Sequence, residues 1–196
     1  MKDIRESIIG FKPSDFQEEK DKELFLRLLD TEEDIFTRKN ELCHFTSSSW
    51  VVNPKRDKVL LCYHNIYKAW TWLGGHADGE KDLLSVALRE VREESSLKEV
   101  RPLSEEIFSL ESLAVEGHVK RGEYVSTHIH LNVTYLLEAD DSKPLHIKED
   151  ENKAVAWYPI DSIITLSTEP WFVQWIYPKL NKKLRLFIES EKKNNS

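Results

Sequence analysis

The sequence predicts an α/β (α+β) domain built on a mixed β-sheet, preceded by N-terminal helices. Three observations carry that reading. Strand-like runs stand on both sides of a central segment, Asp82 to about Ser95, where Leu84, Ala87, Leu88 and Val91 recur at helical spacing. The run Thr127–Leu137 alternates cleanly, with Thr127, Ile129, Leu131, Val133, Tyr135 and Leu137 on one face. Ser126, His128, His130, Asn132 and Thr134 fall on the other. Charged, helix-periodic residues fill the stretch ahead of the first strand.

The elements follow in chain order. Ser14 followed by Gln17 resembles a capping box, and Leu24, Phe25, Leu28 and Leu29 supply the apolar stripe of the helix it would start. Thr31 and Asp34 offer a second cap. From His44 the pattern changes. Ser48–Val52 and Lys58–His64 read as strands joined by the turn-forming run Asn53-Pro54-Lys55-Arg56-Asp57. Trp70-Thr71-Trp72-Leu73 then leads into a glycine cluster. After the central helix, Pro102 marks a loop, Ile107–Val115 a strand, and Gly117–Gly122 a hairpin-like loop. Ala154–Tyr158 is a last short strand. Pro170–Ser190 is a helical region interrupted or bent at Pro178, which has no N–H to give the helix. The organisation expected is an N-terminal helical extension over 1–43, one domain over 44–190 that includes the C-terminal helix, and a frayed tail over 191–196.

Of the 196 residues, 40% are hydrophobic, enough to bury a core rather than stay disordered. Thirty-five acidic residues against 28 basic ones leave a net charge of −7. That balance excludes a bulk nucleic-acid binder or an anionic-membrane binder, both of which need a basic surface. It leaves room for a small phosphorylated substrate whose charge is offset by metal ions. Cys43 and Cys62 fit neither a disulfide framework nor a CxxC motif, and Cys62 reads as a buried strand residue. The start, Met1 to Glu6, is charged and unlike a signal peptide, and no run approaches the roughly 18 apolar residues of a membrane span. A cytoplasmic protein is expected.

Chemistry concentrates around the glycines. Six glycines are present, and Gly74, Gly75 and Gly79 fall within six residues, which implies an unusual backbone path there. In the helix that follows, Glu90, Glu93 and Glu94 stand at i, i+3 and i+4, so three carboxylates share one face beside the apolar stripe. Crowded carboxylates repel one another, and a divalent cation with a preference for oxygen removes that cost. Arg89 is placed to reach Glu93 and acids ahead of the helix. A solvated, salt-bridged helix face is the plainer alternative for such a run. The glycine loop immediately upstream favours a loop–helix metal site.

Gly75-His76-Ala77-Asp78-Gly79-Glu80-Lys81 and the helix through Leu97 resemble the Nudix box, GX5EX7REUXEEXGU, where U is bulky and aliphatic. Gly75, Arg89, Glu90, Val91, Glu93, Glu94 and Leu97 match seven of its nine specified positions over 23 residues. The local form Gly-Gly-His-Ala-Asp-Gly is similar to that of a bacterial Nudix subgroup. Lys81 stands where the family has its first glutamate, and Ser96 where it has its second glycine. Asp78, Glu80 or Asp82 could supply the missing carboxylate, and Ser96 lacks glycine's ease in a left-handed helix end.

The resemblance implies a Nudix-like α/β/α sandwich. It implies Glu90, Glu93 and Glu94 as ligands of Mg²⁺ or Mn²⁺, with the Gly74 carbonyl as a backbone ligand and Arg89 beside them. Members of the family add an acid from the loop before the last strand as ligand or general base. Glu151, six residues before Trp157, is the choice among Glu149, Asp150 and Glu151, a solvated acidic turn being the alternative. Lys120 and Arg121 are candidates for a terminal phosphate, again against a solvated turn. His128 and His130 are candidates for substrate contact or ordinary strand histidines. A transition-metal role would need a third histidine or cysteine, and none has matching local spacing.

The activity implied is metal-dependent hydrolysis of a diphosphate bond in a nucleoside diphosphate linked to another group. A Nudix-fold binding module without turnover is the alternative, supported by Lys81 and Ser96. Glu111-Ser112-Leu113-Ala114-Val115 shows neither the proline nor the tyrosine that mark the ADP-ribose and dinucleoside polyphosphate groups. The N-terminal helices are candidates to cap the site or to form a homodimer contact.

Overall fold

A computed structural model describes residues 3–65, 68–120, 122–148 and 152–194. In chain order the elements are helices α1 (Ile4–Gly10) and α2 (Phe16–Thr31), and strands β1 (Cys43–Val52), β2 (Lys58–His64), β3 (Ala69–Thr71) and β4 (Leu73–His76). Helix α3 (Leu83–Ser95) follows, then β5 (Val100–Pro102), β6 (Ser109–Val115), β7 (His118–Lys120), β8 (Glu123–Val125), β9 (His128–Ala139) and β10 (Asn152–Pro159). Helices α4 (Ile163–Leu166) and α5 (Tyr177–Asn194) complete the chain. Eight strands belong to one sheet with the order β10-β2-β1-β9-β5, in which β3 pairs β2, β4 pairs β1 and β6 pairs β9. This is the α+β architecture with a mixed sheet that the sequence predicts.

By its internal contacts the chain divides into two compact units. The first comprises Met1–Ser49, Gly74–Glu90 and Pro102–Leu136. Its helix α2 starts one residue later than the sequence suggests. Asp15, not Ser14, is the N-cap, accepting from Glu18 N at 2.9 Å. The fully buried Glu18 turns back to accept from Ser14 N (2.7 Å) and Ser14 Oγ (2.9 Å), and from Ser109 Oγ (2.7 Å) on β6. Three donors on one carboxylate make its burial affordable and tie α2 to β6. Gln17 Nε2 to Leu110 O (2.9 Å) and Ser112 N to Asp21 Oδ2 (2.8 Å) continue that seam. No helix starts at Thr31 or Asp34: Glu32 closes α2 and Asp34 takes a left-handed turn conformation at φ 53°.

All ten residues of β1 are buried, although the sequence suggests a strand only over its second half. The middle of the strand, Thr46 to Ser48, is small and polar, and its hydroxyls find partners within the fold. Ser47 Oγ donates to Leu83 O (2.6 Å), while Thr46 and Ser48 both donate to Asn132 Oδ1 (3.1 and 2.8 Å). Strand β9 pairs antiparallel with β6 in the register Glu111↔Asn132. Glu111 Oε2 accepts from Asn132 Nδ2 (3.0 Å) and Thr134 Oγ1 (2.8 Å), so Asn132 and Thr134 on the polar face of β9 are buried in a hydrogen-bonded ladder. Where a hairpin-like loop is expected over Gly117–Gly122, His118–Lys120 is instead a strand, β7, paired antiparallel with β8.

The second unit comprises Trp50–Leu73, Val91–Arg101 and Leu137–Ser196. Here β2 has the limits the sequence predicts and pairs antiparallel with β10 from Asn152↔His64 to Pro159↔Lys58. Asn53 Oδ1 closes the preceding turn by accepting from Asp57 N and Lys58 N (3.1 and 3.0 Å). The C-terminal helical region departs from α-geometry at a π-turn, Phe172–Ile176, where Tyr177 N bonds to Phe172 O, one turn ahead of Pro178. Trp50 stacks on Tyr177 at 5.9 Å and Trp72 packs edge-on against Phe172 and Tyr177. These tryptophans are core. Tyr177, Leu180 and Leu184 present one face of α5 at helical spacing, each buried side chain contributing roughly 2 kcal/mol. Among the described residues no helix is long and apolar enough to cross a membrane.

Candidate functional site

Helix α3 is started by Asp82, whose carboxylate accepts from Ser85 N (3.2 Å) and Ser85 Oγ (2.9 Å); Asp82 N in turn donates to Glu80 Oε1 (2.9 Å). Its buried face is Leu83, Val86, Ala87, Glu90, Val91 and Glu94. The stripe is therefore rotated from the Leu84, Ala87, Leu88 and Val91 set that the sequence suggests, and two carboxylates occupy core positions on it. Glu90 is 9% and Glu94 2% exposed, whereas the Glu93 side chain is 44% exposed. The helix ends at Ser96, which takes the left-handed φ of 61° and donates its N–H to Arg92 O (2.9 Å). Serine thus adopts the conformation for which glycine is favoured.

Within the first unit, β4 runs close against β1 and α3. A Cβ on Gly74 would stand 2.5 Å from Ser47 O, and one on Gly75 would stand 2.4 Å from Glu90 Cδ. Only glycine permits these approaches. Arg89 Nη2 donates to Glu90 Oε1 (2.9 Å) and to the His76 carbonyl (3.3 Å), linking carboxylate and loop. The three acids considered as substitutes for the family's first glutamate have other assignments. Asp78 forms a two-pronged pair with Arg38 (2.8 and 2.7 Å), whose hydrogen bonds hold its carboxyl below the usual range, while Glu80 and Asp82 cap α3. The Lys81 ammonium lies 5.9 Å over the Phe36 ring.

Within the second unit, Glu94 Oε1 accepts from Asn152 Nδ2 (3.0 Å), and the Cys62 thiol lies 3.9 Å from the same oxygen. Glu93 Oε2 accepts from Lys148 Nζ at 3.0 Å, a partner other than the expected Arg89. Glu151 and Arg121 lie outside the described residues, as does the Lys120 side chain. A cavity of about 550 Å³ in this unit is lined by Arg56, Asp57, Ile160, Asp161 and Arg185, none of them a predicted site residue.

Buried carboxylates four residues apart on one helix face carry a desolvation cost and a mutual repulsion. Arg89 and Asn152 are among the groups that offset it. Carboxylate oxygens are donors of the kind that Mg²⁺ and Mn²⁺ prefer.

His128 and His130 do not stand alone. In the first unit His44 from the start of β1 and His76 from the end of β4 join them. His44 has ring centroids 5.2 Å from His76, 5.0 Å from His128 and 5.1 Å from His130. His76 and His130 are 4.8 Å apart, His128 and His130 4.9 Å. The His128 and His130 Nε2 atoms approach to 3.1 Å. Burial pushes His44 down from its usual pKa, and burial followed by the neighbouring imidazoles takes His130 to about 2, so this pair is neutral at physiological pH. The sequence reading sought a third histidine nearby in the chain. The strands supply two from 52 or more residues away, and no local pattern announces them.

A family model for the NUDIX domain matches residues 44–179. Three solved structures share the fold. A NUDIX-family hydrolase from Clostridium perfringens is 23% identical with a TM-score of 0.51, the match covering 74% of this chain and 97% of that one. The MutT protein from Methanosarcina mazei Go1 is 14% identical with a TM-score of 0.54, covering 74% and 96%. A C. elegans Ap4A hydrolase in a binary complex is 14% identical with a TM-score of 0.50, covering 74% and 98%. A search of curated proteins gives no match.

Proposed function

The chain belongs to the NUDIX domain family, and from that membership we infer a Nudix-type pyrophosphohydrolase that cleaves a diphosphate bond in a nucleoside diphosphate linked to another group. The observation that carries the reading is the burial of Glu90 and Glu94 on the core-facing stripe of α3, where an apolar residue would be the stable choice. Glu90, Glu93, Glu94 and the Gly74 carbonyl are the groups that would hold Mg²⁺ or Mn²⁺. When bound, such a cation neutralises phosphate charge and lowers the pKa of an attacking water.

The remaining chemistry falls to the chain's own residues. Arg89 orients Glu90 through its 2.9 Å hydrogen bond and anchors the His76 carbonyl. Asn152 fixes one oxygen of Glu94. Glu93, the most exposed of the three, or Glu151 accepts the proton of the attacking water. Lys120 and Arg121 meet a phosphate of the substrate. Catalysis is then mainly positioning and charge stabilisation.

The deciding experiment is a panel of nucleoside diphosphate derivatives assayed for phosphate or monophosphate release with Mg²⁺ and with Mn²⁺. On the best substrate, Glu93→Gln and Glu94→Gln lower kcat by about 100-fold or more while circular dichroism stays native. Near-normal rates in both variants refute the assignment. Tight binding across the panel with no product would mark a binding module instead.

A further inference from the structure

Four imidazoles from three strands converge in the first unit, at positions the hydrolytic reading leaves unused. We propose that His44, His76 and His130, with His128 as the fourth donor, form a transition-metal site of the zinc type, separate from the carboxylates of α3.

The geometry carries this. One ring nitrogen from each of His44, His76 and His130 lies within 4.8 Å of the other two. A tetrahedral Zn²⁺ with bonds of 2.0–2.1 Å holds its ligand nitrogens about 3.3 Å apart, so ring movements of about 1 Å close the set. The 3.1 Å between the Nε2 atoms of His128 and His130 already has that spacing. Two of the rings are oriented as metal-bound histidines are. His44 Nδ1 donates to the Asn40 carbonyl at 3.0 Å and His128 Nδ1 to the Ser126 carbonyl at 2.8 Å, which leaves each Nε2 as the nitrogen with a lone pair to offer. His44 Nε2 is buried and has no hydrogen-bond partner among the described residues. A buried nitrogen of this kind calls for an explanation, and a metal ion supplies one.

The donor set also selects the ion. Imidazole suits zinc, copper, iron and nickel, and none of the four donors is the carboxylate or carbonyl oxygen that Mg²⁺ or Ca²⁺ requires. Four protein ligands close the site to water, the pattern of structural rather than catalytic zinc. The ion would tie β1, β4 and β9 together. Because the His76 carbonyl accepts from Arg89, it would also hold the glycine strand against Glu90.

The test uses the full chain, stripped of metal with a chelator and titrated with Co²⁺. Expected are the visible absorption bands of tetrahedral nitrogen-bound Co²⁺, saturating at one equivalent and abolished by Zn²⁺ but not by excess Mg²⁺. The bands persist in Glu94→Gln and are lost in His44→Gln and His130→Gln. A wild-type chain that develops no such bands overturns the proposal, whatever the variants do. So do bands that survive in both histidine variants or vanish in Glu94→Gln. None of these readouts depends on turnover, so failure of the hydrolase reading leaves the result intact.

Discussion

Gly75→Ala is a one-methyl perturbation aimed at a single carboxylate. The new Cβ would sit 2.4 Å from Glu90 Cδ and 2.6 and 2.8 Å from its oxygens, where ordinary contacts begin near 3.4 Å. The carboxylate must therefore retreat by about 1 Å, because close-packed surroundings leave the backbone of β4 no room to yield. Retreat stretches the 2.9 Å bond from Arg89 and moves the donor oxygens away from the loop. A displacement of this size at a reacting centre costs about 100-fold in rate, or about 2.7 kcal/mol in the barrier. Overpacking removes about 1–3 kcal/mol of stability, a fall in Tm of roughly 3–10 °C. Gly79→Ala is the control: a Cβ there meets nothing within 4 Å, but φ is +94°, so the fold loses about 1 kcal/mol while Glu90 stays in place. The assays are kcat on the preferred substrate, Mn²⁺ affinity by electron paramagnetic resonance, and thermal unfolding. Wild-type kcat and Mn²⁺ affinity in a folded Gly75→Ala protein refute the claim that this glycine exists for Glu90.

Two further outcomes follow from local geometry and burial. Ser96→Gly relieves a left-handed serine at φ 61° and raises Tm by roughly 2–3 °C, about 1 kcal/mol, with turnover unchanged; a lower Tm contradicts the strain argument. Tyr177, fully buried and bonded to Thr71 Oγ1 at 3.2 Å, has its phenol pushed up by burial. The unfolded chain releases this proton near pH 10 and the folded chain holds it, so stability falls with rising pH above about 10, by about 1.4 kcal/mol per unit. Urea unfolding between pH 9 and 11 measures this slope, and Tyr177→Phe flattens it; an unchanged slope disproves it.

What the sequence revealed, and what it concealed, depends on how local each cause is. Strand β2 is bracketed by a proline-containing turn, so its limits are visible in the chain itself. The first half of β1 is not visible, because Thr46 and Ser47 are satisfied by Asn132 and Leu83, which only the fold brings near. Asp15 and Ser14 are adjacent capping residues. The choice between them rests with Glu18, which is also held by Ser109, 91 positions away. The spacing of Glu90, Glu93 and Glu94 was plain, yet the burial of Glu90 and Glu94 was not, since periodicity assigns core positions to leucine before glutamate. The histidine cluster is the extreme case. Its members lie on three strands, and each looks ordinary beside its own neighbours.

The ladder from Glu111 through Asn132 to Thr46 and Ser48 has a bearing on how the strands find one another. An alternating strand is indifferent to a shift of two residues, which returns every apolar side chain to the same face. Slid by two, β6 would set Glu111 opposite His130 or Thr134 rather than Asn132, and a fully buried carboxylate would lose its amide donor. A misaligned sheet would keep its oily face and still be penalised by several kcal/mol. Greasy side chains tell β9 which way to face, and one acid, one amide and three hydroxyls tell it where to stop.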